Sequence, residues 1–513
     1  MSNWSDGYLT DINYTYGYYK ELSPKHIIVP LLLEGIAVPE IKNACELGFG
    51  QGISINIHAT AGTAQWYGTD VNPAQTAFAR EVAKKANNDA ILTDQSFAEF
   101  CQRDDLPEFE YIGLHGIWSW INDENRHIIV DFIRRKLAVG GILYISYNSL
   151  PGWAATSPIR HLMNIWNKNM ASSTDDYKDR VERAMHFGEK VLAQSVGLTQ
   201  NSAEISNFLN ELKNKNFRYL AHEYLNQNWQ PMYFTEVSDY LEPAKLSYVC
   251  SANYLEDFYD VNFSSEQAQL FDSLPAQARV RQTTKDYMLN KRFRRDLWVK
   301  GGYKLNPKRL NMLRGQLKFM LITERDKVSL SVTHHRQAQL YPEQINSILD
   351  ILADKKPHSV NEIWEAVNKE HIVNEQLLFV LLTLLYTKQD LVLVQEQEQI
   401  DSVKERCHAL NQYLFELAQS SSETPYLASP VTGEAVICGQ IDALCAFGVT
   451  KGLKSPKELA KFIWDIFKPQ GTALRKENKI LQTDKENLAE LESLADKFNK
   501  ETLPMLRQLG IIA

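Results

Sequence analysis

The residues best suited to chemistry are Glu46-Leu47-Gly48-Phe49-Gly50-Gln51-Gly52, directly after a short run, Lys42 to Leu47, that reads as a strand. Glycine lets a backbone turn tightly and approach a ligand with no Cβ in the way. The G-x-G-x-G spacing departs from the dinucleotide G-x-G-x-x-G fingerprint, and alone it also fits an ordinary strand-to-helix turn. Two acids give it context. Asp70 stands about 20 residues on, at the end of the next strand-like run, where a carboxylate accepts both hydroxyls of a ribose. Asp94 closes the run after that and is followed by Ser96-Phe97, offering a carboxylate to an adenine amino group and a ring to cover the purine. Either Asp by itself is equally a helix cap. In order along successive strand ends, the set suits successive parts of one ligand.

Such an ordered set needs a parallel sheet to hold it. Strand-like runs at 42–47, 65–70, 90–94, 111–115 and 141–147 alternate with amphipathic stretches such as Pro73 to Lys85 and Asn125 to Leu137. That alternation predicts right-handed βαβ units, and so an α/β, Rossmann-like core over residues 25–154 behind a Tyr-rich N-terminal cap, 1–24. Between 155 and 235 strand signals vanish, and Asp175 to Leu192 and Ser202 to Asn214 carry mixed charge at helical spacing. This segment is expected to be a helical lid over the carboxyl edge of the strands. Phe234 to Leu241 then reads as a helix and Leu246 to Cys250 as a strand, so the core is expected to end within a middle region, 236–300. Residues 301–513 read as a mostly helical interaction region. Within it, Gln344 to Ala353, Val360 to Val367, Glu375 to Lys388 and strand Leu391 to Val394 follow a winged-helix-like order. The third of those helices is Leu-rich and nearly uncharged, which favours protein packing over a nucleic-acid groove.

Composition sets outer limits. The chain has 513 residues and a net charge of −8, which disfavours a chain-wide nucleic-acid surface. Its six cysteines are scattered, with none of the close pairs of a zinc site, so no metal is expected. The N-terminus lacks a basic start followed by an apolar stretch, and the longest apolar run, Leu377 to Tyr386, is about half a membrane span. A cytoplasmic protein without membrane insertion is expected.

The chain from Glu46 to Asp94 resembles the Rossmann-like methyltransferases that use S-adenosylmethionine (SAM) and release S-adenosylhomocysteine (SAH). The resemblance implies Glu46 near the methionine amino group, Gly48, Gly50 and Gly52 in the loop around the methionine end, Asp70 on ribose, and Asp94, Ser96 and Phe97 around adenine. Phe49 departs from the pattern, which often has a small residue there. Further stretches carry a narrower likeness: His115-Gly116-Ile117-Trp118-Ser119-Trp120, Tyr147-Asn148-Ser149-Leu150-Pro151-Gly152-Trp153, Arg160-His161-Leu162-Met163, Tyr219-Leu220-Ala221-His222-Glu223 and Lys291 to Leu297. Together they are similar to bacterial methyltransferases bearing a methyltransferase regulatory domain, which include the rickettsial lysine methyltransferases of outer-membrane proteins.

For such a reaction, aromatic faces suit both a sulfonium and an ammonium. Tyr14, Tyr16 and His115 are expected beside the donor, and Trp118, Trp120 and Trp153 as the acceptor wall, with core packing the alternative for each. His115 is the candidate general base and Glu223 the group that orients the acceptor amine. The strand-four end, Leu114-His115-Gly116-Ile117, lacks the Asp/Asn-Pro-Pro-Tyr of enzymes acting on base amino groups or glutamine amides. The expected function is methylation of protein lysine, with a protein substrate as partner and a homodimer left open. The alternatives are a small-molecule O- or N-methyltransferase and a SAM-binding scaffold.

Overall fold

The computed structural model describes residues 15–512 apart from 173–174, 196–202, 227, 369–372 and 478. Seven strands form the central sheet: β1 (Asn43–Leu47), β2 (Gln65–Thr69), β3 (Ile91–Thr93), β4 (Phe109–Leu114), β5 (Leu137–Asn148), β6 (Leu246–Ser251) and β7 (Phe293–Lys300), in the order β3-β2-β1-β4-β5-β7-β6. The first five pair in parallel, and β7 runs antiparallel between β5 and β6. Parallel strands are covered on both faces, so they read as continuous apolar runs. β5 accordingly buries every residue from Gly141 to Asn148. Strand order reverses between β1 and β4, and a crevice opens outside the carboxyl ends at such a reversal.

β7 was not foreseen as a strand. Its sequence, Phe-Arg-Arg-Asp-Leu-Trp-Val-Lys, looks too charged for an interior position. Arg294 and Asp296 are nevertheless 3% and 1% exposed. Arg294 bonds Asp296 within its own strand at 2.9 Å and Asp286 at 2.5 Å, so the charges are buried as partners.

Between β5 and β6 the chain leaves the sheet for helices Ser157–Met170, Tyr177–Gln194, Ala203–Leu212 and Phe217–Leu225. They bury their own cluster, including Ile159, Met163, Val181, Phe208 and Leu220, together with Trp153. Helix Phe234–Leu241 then leads back to the sheet.

The C-terminal region folds onto the core. Leu410, Leu414 and Phe447 share one apolar cluster with Ile53, Ile57 and Val82 of the core helices. The apolar face of helix Glu375–Thr387 packs with Val29, Leu32 and Tyr254, so its leucines are spent inside the chain. The helix order expected over 342–396 is present, but strand Lys318–Leu321 lies between His358–Ser359 and Leu391–Val394 in their small sheet. Leu391–Val394 then runs into the long helix Gln397–Ala418, so the expected helices and strand are present without a wing hairpin. All six cysteines are buried free thiols. Among the described residues, no helix is long and apolar enough to cross a membrane, and no three His, Cys, Asp or Glu side chains group as a metal site.

Candidate functional site

The Gly-rich loop is held open by backbone geometry. Gly48, Gly50 and Gly52 all take positive φ, a region that L side chains adopt at a cost. A Cβ on Gly48 would lie 2.4 Å from Ile117 Cδ1. Asp70, at the end of β2, accepts the Gly50 N–H at 2.8 Å and the Asn72 N–H at 3.0 Å, which fixes its carboxylate beside the loop. Burial raises its pKa to about 6 against the pull of those two N–H groups. Glu46 is 2% exposed, and its Oε2 has no hydrogen-bond partner. Burial, and secondarily Asp70, push its pKa up to about 8. An orphaned buried carboxyl oxygen costs about 1–3 kcal/mol unless a ligand cation or donor meets it.

These groups open into a cavity of about 470 Å³, which helix Phe217–Leu225 of the insertion also lines. Of the residues the sequence nominated, Glu46, Gly48, Gly50, Asp70, Ser96, Phe97, His115, Trp120, Trp153 and Glu223 line it. Ser96 also caps helix Phe97–Cys101, so its hydroxyl is partly committed there.

Four nominations fall elsewhere. Gly52 does not line the cavity; its Cβ would sit 2.5 Å from Ala79 Cβ, so it serves the contact between helices Ile53–Ala61 and Pro73–Ala86. The Asp94 carboxylate is drawn to Arg80 at 3.6 Å, away from the cavity, and Gln95 stands on the wall instead. Trp118 is fully buried in the core beside β4, whereas Trp120, two residues on, faces the cavity. Tyr16 packs edge-on against Phe78 at 5.1 Å, off the cavity. Tyr14 lies outside the described residues.

The structure also adds residues. Tyr19 reaches in from the N-terminal segment and stacks on His115, ring centroids 3.8 Å apart. Tyr219, Arg292 and Phe293 complete the acceptor side. Tyr219 had a signal, because it stands one helical turn before Glu223 and so shares its face. Trp153 donates its indole N–H to the carbonyl of Arg292 at 3.0 Å, tying the turn after β5 to the segment that enters β7.

The two proton-handling candidates differ sharply. His115 Nδ1 lies 2.7 Å from the Tyr144 hydroxyl, and burial, then Arg295, hold its pKa down to about 3. A group so acidic in its charged form accepts protons poorly near neutrality. Glu223 is raised to about 7 by burial, opposed by Arg160. That lies where a general base works best. Two carboxyls with raised pKa values, Glu46 and Glu223, thus line one cavity together with aromatic side chains.

A family model described as a predicted methyltransferase regulatory domain matches residues 216–300. The Synechocystis protein sll1526 is 34% identical over 99% of this chain and 99% of its own length. The Rickettsia prowazekii protein RP789 is 27% identical over 56% of this chain and 52% of its own. The solved structure of PKMT2 from Rickettsia typhi, in complex with AdoHcy, covers 97% of this chain and 100% of that one with a TM-score of 0.70 at 17% identity. The chain thus belongs to the family of Synechocystis sll1526, with a seven-stranded methyltransferase fold and its regulatory domain.

Proposed function

We propose that this SAM-dependent methyltransferase methylates lysine side-chain amines of a protein. The observation that carries the reading is Glu223: a half-buried carboxyl with a pKa of about 7, lining the same aromatic-walled cavity as the Gly-rich loop. The Rickettsia typhi protein with AdoHcy bound and the sequence resemblance to rickettsial lysine methyltransferases support the donor and the acceptor respectively.

Glu46 would meet the methionine ammonium, which answers its orphaned Oε2. Asp70 keeps lone pairs for ribose hydroxyls beyond its two backbone bonds, since a carboxylate offers about four acceptor sites. Gln95, Ser96 and Phe97 would border the purine, and Gly48 and Gly50 admit the methionine end without a Cβ. When bound, SAM supplies a methyl on a sulfonium sulfur, which departs with the C–S electrons as an amine lone pair forms the new N–C bond.

The protein's task is to present that lone pair in line and dry. Trp120, Trp153 and Tyr219 exclude water and favour a cation. Lysine arrives as an ammonium, with a reference pKa of about 10.4. Glu223, as a carboxylate, takes one N–H proton and later yields it to water. His115 stays neutral, sandwiched by Tyr19 and tied to Tyr144, and forms wall rather than base.

The test is incubation with methyl-tritiated SAM and a cell lysate, followed by acid hydrolysis. Tritiated methyl-lysine from labelled protein bands is expected. Label confined to small molecules would transfer the assignment to a small-molecule enzyme, and tight SAH binding without label to a scaffold.

A further inference from the structure

The lid helix carrying Glu223 is held at its C-terminal end by a buried arginine. Arg160, on helix Ser157–Met170, is 6% exposed. Its Nε donates to the carbonyl of Glu223 at 2.8 Å and its Nη2 to that of Asn226 at 2.9 Å. Asn164 adds a second donor to the Asn226 carbonyl, also at 2.9 Å. The guanidinium lies 4.5 Å from the ring centroid of Trp229 and 5.5 Å from that of Trp120. One buried cation therefore fastens three pieces of the wall: the end of the Glu223 helix, the loop after β4, and the return segment with Trp229.

Among the described residues no carboxylate lies within ion-pair distance of Arg160. Two carbonyls and two rings surround it in a low-dielectric place, where its charge acts on the Glu223 carboxyl. We propose that Arg160 is a positioning residue for methyl transfer, which sets the Glu223 helix end against Trp120 and keeps Glu223 available as a carboxylate for an incoming ammonium. This rests on the lysine reading above.

Other groups face Glu223 as well. Tyr219 and Tyr224 stand on its own helix, and both feel its charge. Tyr19 from the N-terminal segment, His115 after β4 and Arg292 before β7 share the cavity. Arg160 is the charged residue that lowers the Glu223 pKa against burial. The same burial brings Arg160 itself down to about 10, still well above neutrality, so it stays charged.

The experiment titrates n-butylammonium, a mimic of the lysine side chain, into the full-length protein saturated with SAH, from about pH 5.5 to 8.5, where the probe keeps its charge. Saturation with SAH fixes the donor-side acids. Affinity should rise with pH through a midpoint of about 7 in the unaltered protein. Arg160→Met should move that midpoint up by about one pH unit, and Arg160→Lys should hold it near the original value with weaker binding. Glu223→Gln should abolish the pH dependence. At any one pH, SAH affinity of each variant should stay within about twofold of the unaltered protein, whereas general unfolding would lower it in parallel. Should Arg160→Met misfold, Arg160→Gln keeps a donor for the carbonyls and removes the charge alone. An unmoved midpoint in a folded neutral variant overturns the proposal. Failure of the probe to bind at any pH removes the lysine reading instead. In that event carboxyl ¹³C NMR of the glutamate-labelled variants, with the Glu223 signal assigned by its loss in Glu223→Gln, still reads whether its pKa moves with Arg160.

Discussion

On one side of the cavity Glu46, Gly48, Gly50 and Asp70 sit on two adjacent strand ends; on the other, Trp120, Trp153, the helix pair Tyr219 and Glu223, and Arg292 are gathered from four separate places in the chain. The first side is positioned by backbone. Glu46 is the fourth residue of β1, paired with β2 and β4, and Asp70 is pinned by two N–H groups. The second side is positioned by side chains, through Arg160, the Trp153 indole and a helical cluster that is separate from the sheet core. A half fixed by the sheet keeps its shape as long as the protein is folded. A half fixed by a separate cluster can open without disturbing the sheet. The difference implies that donor binding and acceptor alignment can be broken one at a time.

The sharpest break is on the donor side. Asp70→Ala removes the acceptor of two N–H groups and the carboxylate proposed to hold ribose, so SAH affinity by calorimetry should fall about 100-fold or more, on the order of 3 kcal/mol. Glu223→Gln is the matching break on the lid. Turnover on the labelled protein should drop about 100-fold, the usual scale of a lost general base, while SAH affinity stays within about twofold. Equal losses of both in either variant would mean that the two sides are not separable.

The same contrast explains what was legible in the sequence. Strand ends announce themselves through apolar runs closed by Gly or Asp, so the loop from Glu46 and the place of Asp70 were readable from spacing. Asp94 shows the limit: the spacing was right, but Arg80, one helix away, decides where its carboxylate points. Trp118 and Trp120 share one tight turn, and nothing in their order tells which faces core and which faces cavity. β7 hid behind charges that make sense only once Asp286 is placed beside Arg294. Arg160 and Tyr19 reach the site through contacts about 60 and 100 residues distant in sequence, which no local pattern encodes.

Glu46 gives a finer test of the donor side through pH. In the empty protein its carboxyl stays protonated below about pH 8, yet a ligand ammonium needs the carboxylate. SAH affinity should therefore climb with pH by up to about tenfold per unit below 8 and level off above it. Stability of the empty protein has the opposite sign. Glu46, Glu223 and Asp70, raised to about 8, 7 and 6, hold protons more tightly folded than unfolded. Denaturant midpoints should fall as pH rises from the ordinary carboxyl range to about 8, and SAH should recover part of the loss. A flat affinity profile would show that Glu46 does not meet the amine.

The smallest expected effect bears most directly on the independence of the lid. Arg218, at the start of the Glu223 helix, pairs with Glu423 of the C-terminal region at 2.6 Å, both ends partly exposed. An exposed pair of this kind contributes about 0.2–1 kcal/mol and weakens with salt. Arg218→Ala should leave overall unfolding nearly unchanged but speed amide hydrogen exchange in Phe217–Leu225 by up to about fivefold, with β1 to β5 unaffected. High salt should produce the same acceleration in the unaltered protein and add little to the variant. If exchange in the strands rises in step with the helix, lid and sheet open as one unit, and the backbone-held half has no stability of its own.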